Sequence, residues 1–383
     1  MKKIIFLTII LLMIIASPKE KAKNQTTQEE LRGVFVSYIE LEKYIKNKTI
    51  EQSKTNIDNM IYICKTMKLN IIVLQVRMAS DAIYPSNIFP YSMYISKKEG
   101  EKTFDVLAYF LKKAHDNNIK LYAWINPYRV RTTDDISSIS KNNPAYQYIG
   151  TDYLYQKQGV FYNPAKQEVT NLIVEGVKEV LNYKVDGILF DDYFYPSNDI
   201  DEKDYQEYHK THDITKEEYH LEIISQMIKK VHDECQKKNI PFGVSPDGNI
   251  ENNYQKHFAD IKKWLENTQY IDFIIPQIYY GFYNSIKGFQ ETAKEWDNLV
   301  KKENIKLLIA LAFYKVGKED KYAKDGREEW IYNDNIIMRE VILSRNLNHY
   351  NGFCLFRYDN LFNKEIYTTT SIEEIENLKK IMK

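Results

Sequence analysis

The sequence predicts an α/β protein built as a (β/α)8 TIM barrel with enlarged βα loops, preceded by an N-terminal signal or anchor segment. Three observations predict the barrel. From Leu31 onward, short runs rich in Val, Ile, Leu, Phe and Tyr alternate with longer runs of helical periodicity. The short runs mostly lack strict polar alternation, as expected for strands that are buried on both faces of a parallel sheet. Eight such repeats over about 350 residues match a barrel enlarged by insertions.

The predicted strands are the segments densest in branched and aromatic residues, at 33–38, 70–76, 120–125, 185–191, 241–245, 271–277, 306–313 and 352–357. Helical periodicity follows most of them; for example, Phe104, Leu107 and Leu111 fall on one face of a helix. The other predicted helices lie near 57–68, 168–182, 216–237, 255–266, 289–302, 328–344 and 371–382. A doubly wound open sheet is the main alternative, but no glycine-rich phosphate turn follows the first strand.

The N-terminus has the pattern of an export signal. Lys2 and Lys3 precede an apolar run from Ile4 to Ala16, which is shorter than the ~20 residues that a membrane span requires. We interpret residues 1–16 as a signal peptide or an uncleaved anchor, 17–30 as a polar linker and 31–383 as the barrel domain. The expected location is therefore outside the cell or at its surface, with membrane contact only through the N-terminal segment.

The overall composition excludes several classes of partner. Lys plus Arg and Asp plus Glu both number 53, so no basic excess favours nucleic acid or an anionic membrane. The three cysteines have no metal-like spacing and are predicted to be buried thiols. His209, His212 and His220 lie in a charged insertion that predicts a solvated loop rather than a zinc site. We expect no metal and no cofactor.

Strand four ends in two adjacent carboxylates, in the stretch VDGILFDDYFYP at 185–196. The active sites of such barrels lie at the carboxyl ends of their strands. Because side chains alternate along a strand, only one of the pair should point squarely into the mouth. We predict Asp192 as the general acid/base, with Asp191 orienting it or contacting sugar. A helix cap or a cation site is the alternative use of the pair. Asp186, at the opposite end of the strand, is predicted to be structural.

Glycoside hydrolysis generally needs a second carboxyl group, which attacks the sugar or activates water. Asp247, after strand five, is the predicted nucleophile or base. Its alternatives are a turn residue in the sequence Pro-Asp-Gly-Asn or a ligand of the sugar. Asp81 and Asp359 compete for the same role.

Polar and aromatic side chains dominate the other strand ends, where they suit sugar hydroxyls and the flat faces of pyranoses. For each aromatic ring, a place in the barrel wall is the alternative, and Lys315 could simply be solvated. The predicted substrate contacts are Arg77, Asp81, Tyr84, Trp124, Asn126, Tyr128, Arg129, Tyr193, Tyr195, Gln277, Tyr279, Tyr280, Tyr314, Lys315 and Arg357.

Four blocks in register resemble the glycosyl-hydrolase-like family often described as family 10: QVRMASDAIYPS at 75–86, AWINPYRV at 123–130, DGILFDDYFYP at 186–196 and PQIYYG at 276–281. The resemblance implies a TIM barrel that hydrolyses a polysaccharide. Two departures indicate a divergent subgroup. Asp247 stands where relatives commonly carry an aromatic residue, and Tyr219 to Glu222 replace a Trp-Arg-Arg pattern.

The sequence therefore predicts an exported glycoside hydrolase that cleaves O-glycosidic bonds of a polysaccharide or oligosaccharide, with cell-wall glycan as one candidate. A non-catalytic glycan-binding barrel of the cell envelope is the alternative function. A structural envelope protein, held by its N-terminal segment, is a third.

Overall fold

Eight parallel strands close into a barrel in a computed structural model that describes residues 29–191 and 194–382. Around the barrel the order of strands is β1-β8-β7-β6-β5-β4-β3-β2, so the first strand pairs with both the second and the last. The predicted TIM barrel is confirmed. The strands are β1 Leu31–Val36, β2 Ile71–Arg77, β3 Lys120–Ile125, β4 Gly187–Phe190, β5 Phe242–Val244, β6 Phe273–Ile274, β7 Lys306–Leu311 and β8 Tyr350–Leu355.

Helices surround the barrel and follow the strands along the chain. They are α1 Tyr38–Tyr44, α2 Ile50–Thr66, α3 Val106–Asp116, α4 Gln167–Leu181, α5 Glu202–His209, α6 Lys216–Gln236, α7 Ile250–Gln255, α8 Ile261–Glu266, α9 Phe289–Leu299, α10 Glu329–Tyr332, α11 Ile336–Ser344, α12 Tyr358–Phe362 and α13 Thr369–Ile381. Between β3 and α4, a small antiparallel sheet is formed by Arg129–Arg131, Leu154–Gln156 and Val160–Tyr162.

Alternate residues of each strand divide the apolar side chains into two cores. One face of each strand packs against the surrounding helices. The other fills the barrel itself, with Phe35, Val73, Trp124, Leu189 and Phe273 among its members. Close packing there needs a glycine in β5, because a Cβ at position 243 would lie 2.4 Å from the Phe273 ring. The interior is therefore a packed core, and a cavity can form only above it.

Several elements differ from the sequence-based predictions. Residue 38 was predicted to end strand one, yet it begins α1, because Ser37 caps that helix in a capping box with Glu40. Two helices were predicted, over 255–266 and 328–344, where the structure has four. Helices α7 and α8 take the place of the first, and helices α10 and α11 take the place of the second. The small antiparallel sheet was not predicted.

The N-terminal signal segment, residues 1–16, lies outside the described residues. Within 29–191 and 194–382, no helix is long and apolar enough to cross a membrane. Cys64, Cys235 and Cys354 are buried free thiols, as predicted.

Candidate active site

A cavity of about 420 Å³ opens at the carboxyl face of the barrel. All eight strands contribute to it, because each supplies a residue at or just beyond its carboxyl end. This is where the barrel architecture brings together side chains that are far apart in sequence. The lining residues are Phe35, Ser37, Tyr38, Ile39, Gln75, Trp124, Arg129, Asp191, Ser245, Gln277, Tyr279, Tyr314, Phe356 and Arg357.

Asp191 is the carboxylate that strand four presents to this cavity. Its side chain is 4% exposed, and the amide Nδ2 of Asn126 donates a hydrogen bond to its Oδ2. The Oδ1 of Asn126 accepts from Gln75 Nε2 at 2.6 Å, and Gln75 Oε1 accepts from the backbone N–H of Tyr38 at 2.9 Å. A chain of amides from three neighbouring strand ends therefore orients the carboxylate. Asp192, the predicted general acid/base, and Tyr193 lie outside the described residues.

Aromatic rings form one continuous wall of the cavity. Phe35 contacts Trp124 edge-on, with ring centroids 5.6 Å apart, and contacts Phe356 at 5.5 Å. Tyr279 contacts Phe356 at 5.6 Å and Tyr314 at 5.7 Å. Edge-to-face and tilted pairs at these separations are favourable, and they lock the orientation of each ring. The wall thus presents rigid apolar surface to a ligand that enters from solvent.

Polar groups on the rest of the rim are held by hydrogen bonds beneath them. Arg357 pairs with the fully buried Glu40, which also accepts from the Ser37 hydroxyl at 2.5 Å. Gln277 Nε2 donates to the carbonyl of Ser245 at 2.9 Å. Together with Arg129, these side chains supply amide and guanidinium donors around the aromatic wall. Such donors suit a ligand rich in hydroxyl groups.

Asp247 is not among the residues that line this cavity. Its Oδ1 accepts from the backbone N–H of Asn249 at 2.7 Å, and its Oδ2 accepts from Asn252 Nδ2 at 2.9 Å. Nε2 of His257 lies 3.8 Å from the same carboxylate. Burial raises the pKa of Asp247, but the hydrogen bonds from these three residues outweigh burial and bring the pKa below its ordinary value. The carboxylate is ionised and braces the loop after β5.

The model of the glycosyl hydrolase-like 10 family matches residues 30–327. The chain belongs to this family. The resemblance inferred from the four sequence blocks is therefore confirmed.

Curated relatives and a solved structure agree with the assignment. The chain is 30% identical over 388 residues to glycosyl hydrolase DigH of Escherichia coli, with 90% of this chain and 87% of that protein covered. It is 26% identical to glycosyl hydrolase YngK of Bacillus subtilis, with 88% and 70% covered. The glycoside hydrolase domain of PgaB from Bordetella bronchiseptica shares the fold, with a TM-score of 0.54, 14% identity, and 92% of this chain and 99% of that domain covered.

In this member of the glycosyl hydrolase-like 10 family, eight described candidates for substrate contact do not line the central cavity, and one of them, Asn126, instead holds Asp191 from below. Arg77, Asp81, Tyr84 and Tyr128 are buried, and Arg77 packs on the Phe89 ring with its guanidinium 3.7 Å from the ring centroid. The others that do not line this cavity are Tyr195, Tyr280 and Lys315. Burial raises the pKa of Asp81 to about 6, although Ser92 opposes the shift with a hydrogen bond.

The last three support the loops around the cavity. Lys315 Nζ donates to the carbonyl of Tyr279 at 2.8 Å and pairs with Asp320 at 2.6 Å. Tyr195 donates to the buried Asp201 at 2.7 Å. Tyr280 lies near Asp247, and its pKa is raised, first by burial and then by the Asp247 charge.

The histidine insertion also differs from its prediction as a solvated loop. His209 and His212 are exposed, but His220 is 1% exposed and pairs with Asp201 at 3.0 Å. Its ring packs on Tyr195 with centroids 4.3 Å apart. Over 29–191 and 194–382, no group of three or more His, Cys, Asp or Glu side chains is arranged to hold a metal ion.

Proposed function

We propose that the protein is an exported glycoside hydrolase that cleaves O-glycosidic bonds of a polysaccharide, with cell-wall glycan as the candidate substrate. One observation carries the proposal: a carboxylate oriented by amides faces a cavity walled by aromatic rings, at the carboxyl face of a glycosyl hydrolase-like 10 barrel. The relatives DigH and YngK are both named glycosyl hydrolases. Export rests on the apolar run in residues 1–16.

The chemistry assigns different roles to the adjacent aspartates. Asp191, held by Asn126 and facing the cavity, suits the role of nucleophile, base or stabiliser of the oxocarbenium charge. The partner that protonates the leaving oxygen is Asp192, the next residue of the chain. The rings of Trp124, Tyr279 and Tyr314 would hold the sugar against these carboxyl groups.

The test compares two aspartates from opposite ends of the same strand. Asp191→Asn should lower the release of reducing sugar from a glycan panel by about 10²- to 10⁴-fold, because it removes a catalytic carboxylate. Asp186 accepts from the Leu121 N–H at 2.8 Å at the other end of β4, so Asp186→Asn should lower stability but not activity of the folded enzyme. Undiminished activity in Asp191→Asn would end the proposal.

A non-catalytic glycan-binding barrel remains the second candidate function. One observation favours it: among the described residues that line the cavity, Asp191 is the only carboxylate. This candidate predicts that the wild-type protein binds members of the glycan panel without releasing reducing ends. It also predicts that Asp191→Asn leaves binding intact, whereas ring substitutions such as Tyr314→Ala weaken binding.

A further inference from the structure

Helix α13 packs against α11 through an interface that contains buried acidic side chains. Glu340 of α11 and Glu374 of α13 are fully buried, and Glu329 of α10 is buried nearby. None of the three lines the central cavity, so the proposed reaction does not use them. Burying a carboxylate is costly unless a hydrogen bond or an opposite charge compensates for the lost water.

Glu340 and Glu374 differ in what compensates for their burial. Oε1 of Glu374 accepts a hydrogen bond from the backbone N–H of Met338 at 2.9 Å, in the first turn of α11, where the helix dipole favours a negative charge. Neither carboxyl oxygen of Glu340 has a hydrogen-bond partner among the described residues. Because a neutral carboxylic acid is far less costly to bury than an uncompensated charge, Glu340 is protonated while the two helices are packed together.

The charges around Glu340 favour the same neutral form. Burial raises the pKa of Glu340 well above its usual range, and the negative charges of Glu374 and Glu329 raise it further. The positive charges of Lys315, after β7, and of Arg339, in α11 itself, oppose the shift and are outweighed. Burial also raises the pKa of Glu374 to about 7, against the hydrogen bonds from the start of α11. A rise in pH therefore adds like charges to one buried interface.

Helix α13 also supports the segment that follows Tyr314 of the central cavity. Thr368, at the start of α13, packs so closely on Gly317 that a Cβ at position 317 would lie 2.1 Å from the Thr368 hydroxyl. The hydroxyl of Thr370 donates to the carbonyl of Ile331 in α10 at 3.0 Å. If α13 moved away, both contacts would be lost.

We propose that Glu340 and Glu374 form an alkaline-sensitive clasp, which holds α13 against α11 while Glu340 is protonated and releases α13 when Glu340 gives its proton to solvent. The sign follows from linkage. The packed state binds this proton more tightly than the released state, so each pH unit between the two pKa values favours release by about tenfold. Release withdraws support from the segment after Tyr314 and weakens glycan binding; this consequence alone rests on the proposed function.

Hydrogen–deuterium exchange of the α13 amides tests the clasp, with rates corrected for the intrinsic effect of pH. Between about pH 7 and pH 9, protection in the wild-type protein should fall about tenfold for each pH unit, because release is linked to the loss of one proton. Glu340→Gln keeps a neutral side chain at every pH, so its protection should stay within about twofold. Glu374→Gln can still accept from the Met338 N–H and should lose less protection than wild type, because Glu340 then lacks a negative neighbour.

Glu373→Gln is the matched control, since Glu373 lies next to Glu374 in α13 but is exposed. Its protection should fall with pH as in the wild-type protein. Wild-type protection that does not change with pH, or an equal fall in Glu340→Gln, would overturn the clasp. If Glu340→Gln does not fold, a fall in Glu374→Gln as large as in wild type would overturn it.

Calorimetry on the glycan panel tests the consequence for the central cavity. The Kd of wild-type protein should rise over the same pH range, whereas the Kd of Glu340→Gln should not. An equal rise in both proteins would show that the clasp does not act on the cavity. If neither protein binds any glycan, the proposed function fails, and the exchange measurements still decide the clasp.

Discussion

At the scale of single residues, Asp247 and Asp191 illustrate two uses of an aspartate that follows a barrel strand. Asp191 accepts a hydrogen bond from the amide of Asn126, at the end of the neighbouring strand, and faces the cavity. Asp247 instead accepts from groups of its own loop, Asn249 and Asn252, as the turn alternative for Pro-Asp-Gly-Asn requires. Asp247 therefore holds the loop after β5 in its conformation.

Asp247→Asn distinguishes this structural role from the catalytic one. The asparagine carbonyl can still accept from the Asn249 N–H, while the attraction of His257 is lost. We expect activity within about tenfold of wild type, far above that of a variant lacking a catalytic carboxylate. Assays of reducing-sugar release, with thermal unfolding as the control for folding, measure the difference. A loss as large as that of Asp191→Asn at unchanged stability would make Asp247 a catalytic residue.

That Asp191 faces the cavity could have been predicted from the sequence. Gly187, Leu189 and Asp191 share one face of strand four, and Leu189 belongs to the core inside the barrel. Extending that alternation by one step brings Asp191 to the cavity. The hydrogen bonds among Asn126, Gln75 and the Tyr38 N–H could not be predicted, since they depend on the relative heights of neighbouring strand ends.

At the scale of elements, an irregularity in β2 explains why Arg77 is absent from the cavity. Gln75 pairs with Trp124 and Arg77 with Ile125, so Val76 is left without a register partner in β3. A bulge of this kind reverses the alternation of side chains. Gln75 therefore faces the cavity, whereas Arg77 packs outside the barrel against α4. Simple alternation from Gln75 would have placed both residues in the mouth.

Helix α4 accommodates the buried Arg77 only because residue 176 is glycine. A Cβ there would lie 2.1 Å from Nη1 of Arg77 and 2.7 Å from the Phe89 ring. On an exposed helix face, Gly→Ala would stabilise the protein by about 1 kcal/mol. Here Gly176→Ala should lower the free energy of unfolding by about 1–3 kcal/mol through overpacking, as measured by urea denaturation.

The control for this prediction lies in the same helix. Asn171 is exposed on α4, so Asn171→Ala should change the free energy of unfolding by no more than about 0.5 kcal/mol. A Gly176→Ala protein as stable as wild type would show that Arg77 can move away and that its packing is not fixed by the helix.

Element boundaries divide into those that local signals reveal and those set by tertiary contacts. The capping box of Ser37 and Glu40 is visible in the sequence and marks the start of α1, so the strand predicted to residue 38 could have been ended at Val36. The sheet around Val160–Tyr162 has no such signal, because its strands are three residues long and are defined by pairing with distant segments.

At the scale of the whole molecule, the barrel is closed by pairing β1 with β8, and Glu30, just before β1, binds residues just before and at the start of β8 at that seam. Its carboxylate accepts from Arg32 at 2.8 Å, from Arg345 at 2.8 and 2.9 Å, and from Tyr350 at 2.8 Å. Arg345 also donates to the carbonyl of Ile381 at 3.0 Å. Glu30 was predicted to be the last residue of the flexible linker, but in the structure its carboxylate is bound by side chains of the barrel domain.

Glu30→Gln should therefore weaken the closure of the whole barrel. Burial raises the pKa of Glu30, but the hydrogen bonds from Arg345, Tyr350 and Arg32 outweigh it and bring the pKa below its ordinary value. A carboxylate with a lowered folded pKa contributes stability above its unfolded pKa and loses it as the pH falls through the folded value. We expect the variant to be less stable by about 2 kcal/mol at pH 7.

This deficit should shrink toward zero at a pH below the folded pKa, because both proteins then carry a neutral side chain at position 30. Urea denaturation at pH 7 and at a series of lower pH values measures the free energy of unfolding as the carboxylate is protonated. Glu376→Gln, which removes an exposed carboxylate of α13 paired with Lys379, should stay within about 0.5 kcal/mol of wild type at each pH. A Glu30→Gln deficit that is absent at pH 7, or that persists unchanged in acid, would show that the charge at this seam does not hold the ends of the barrel together.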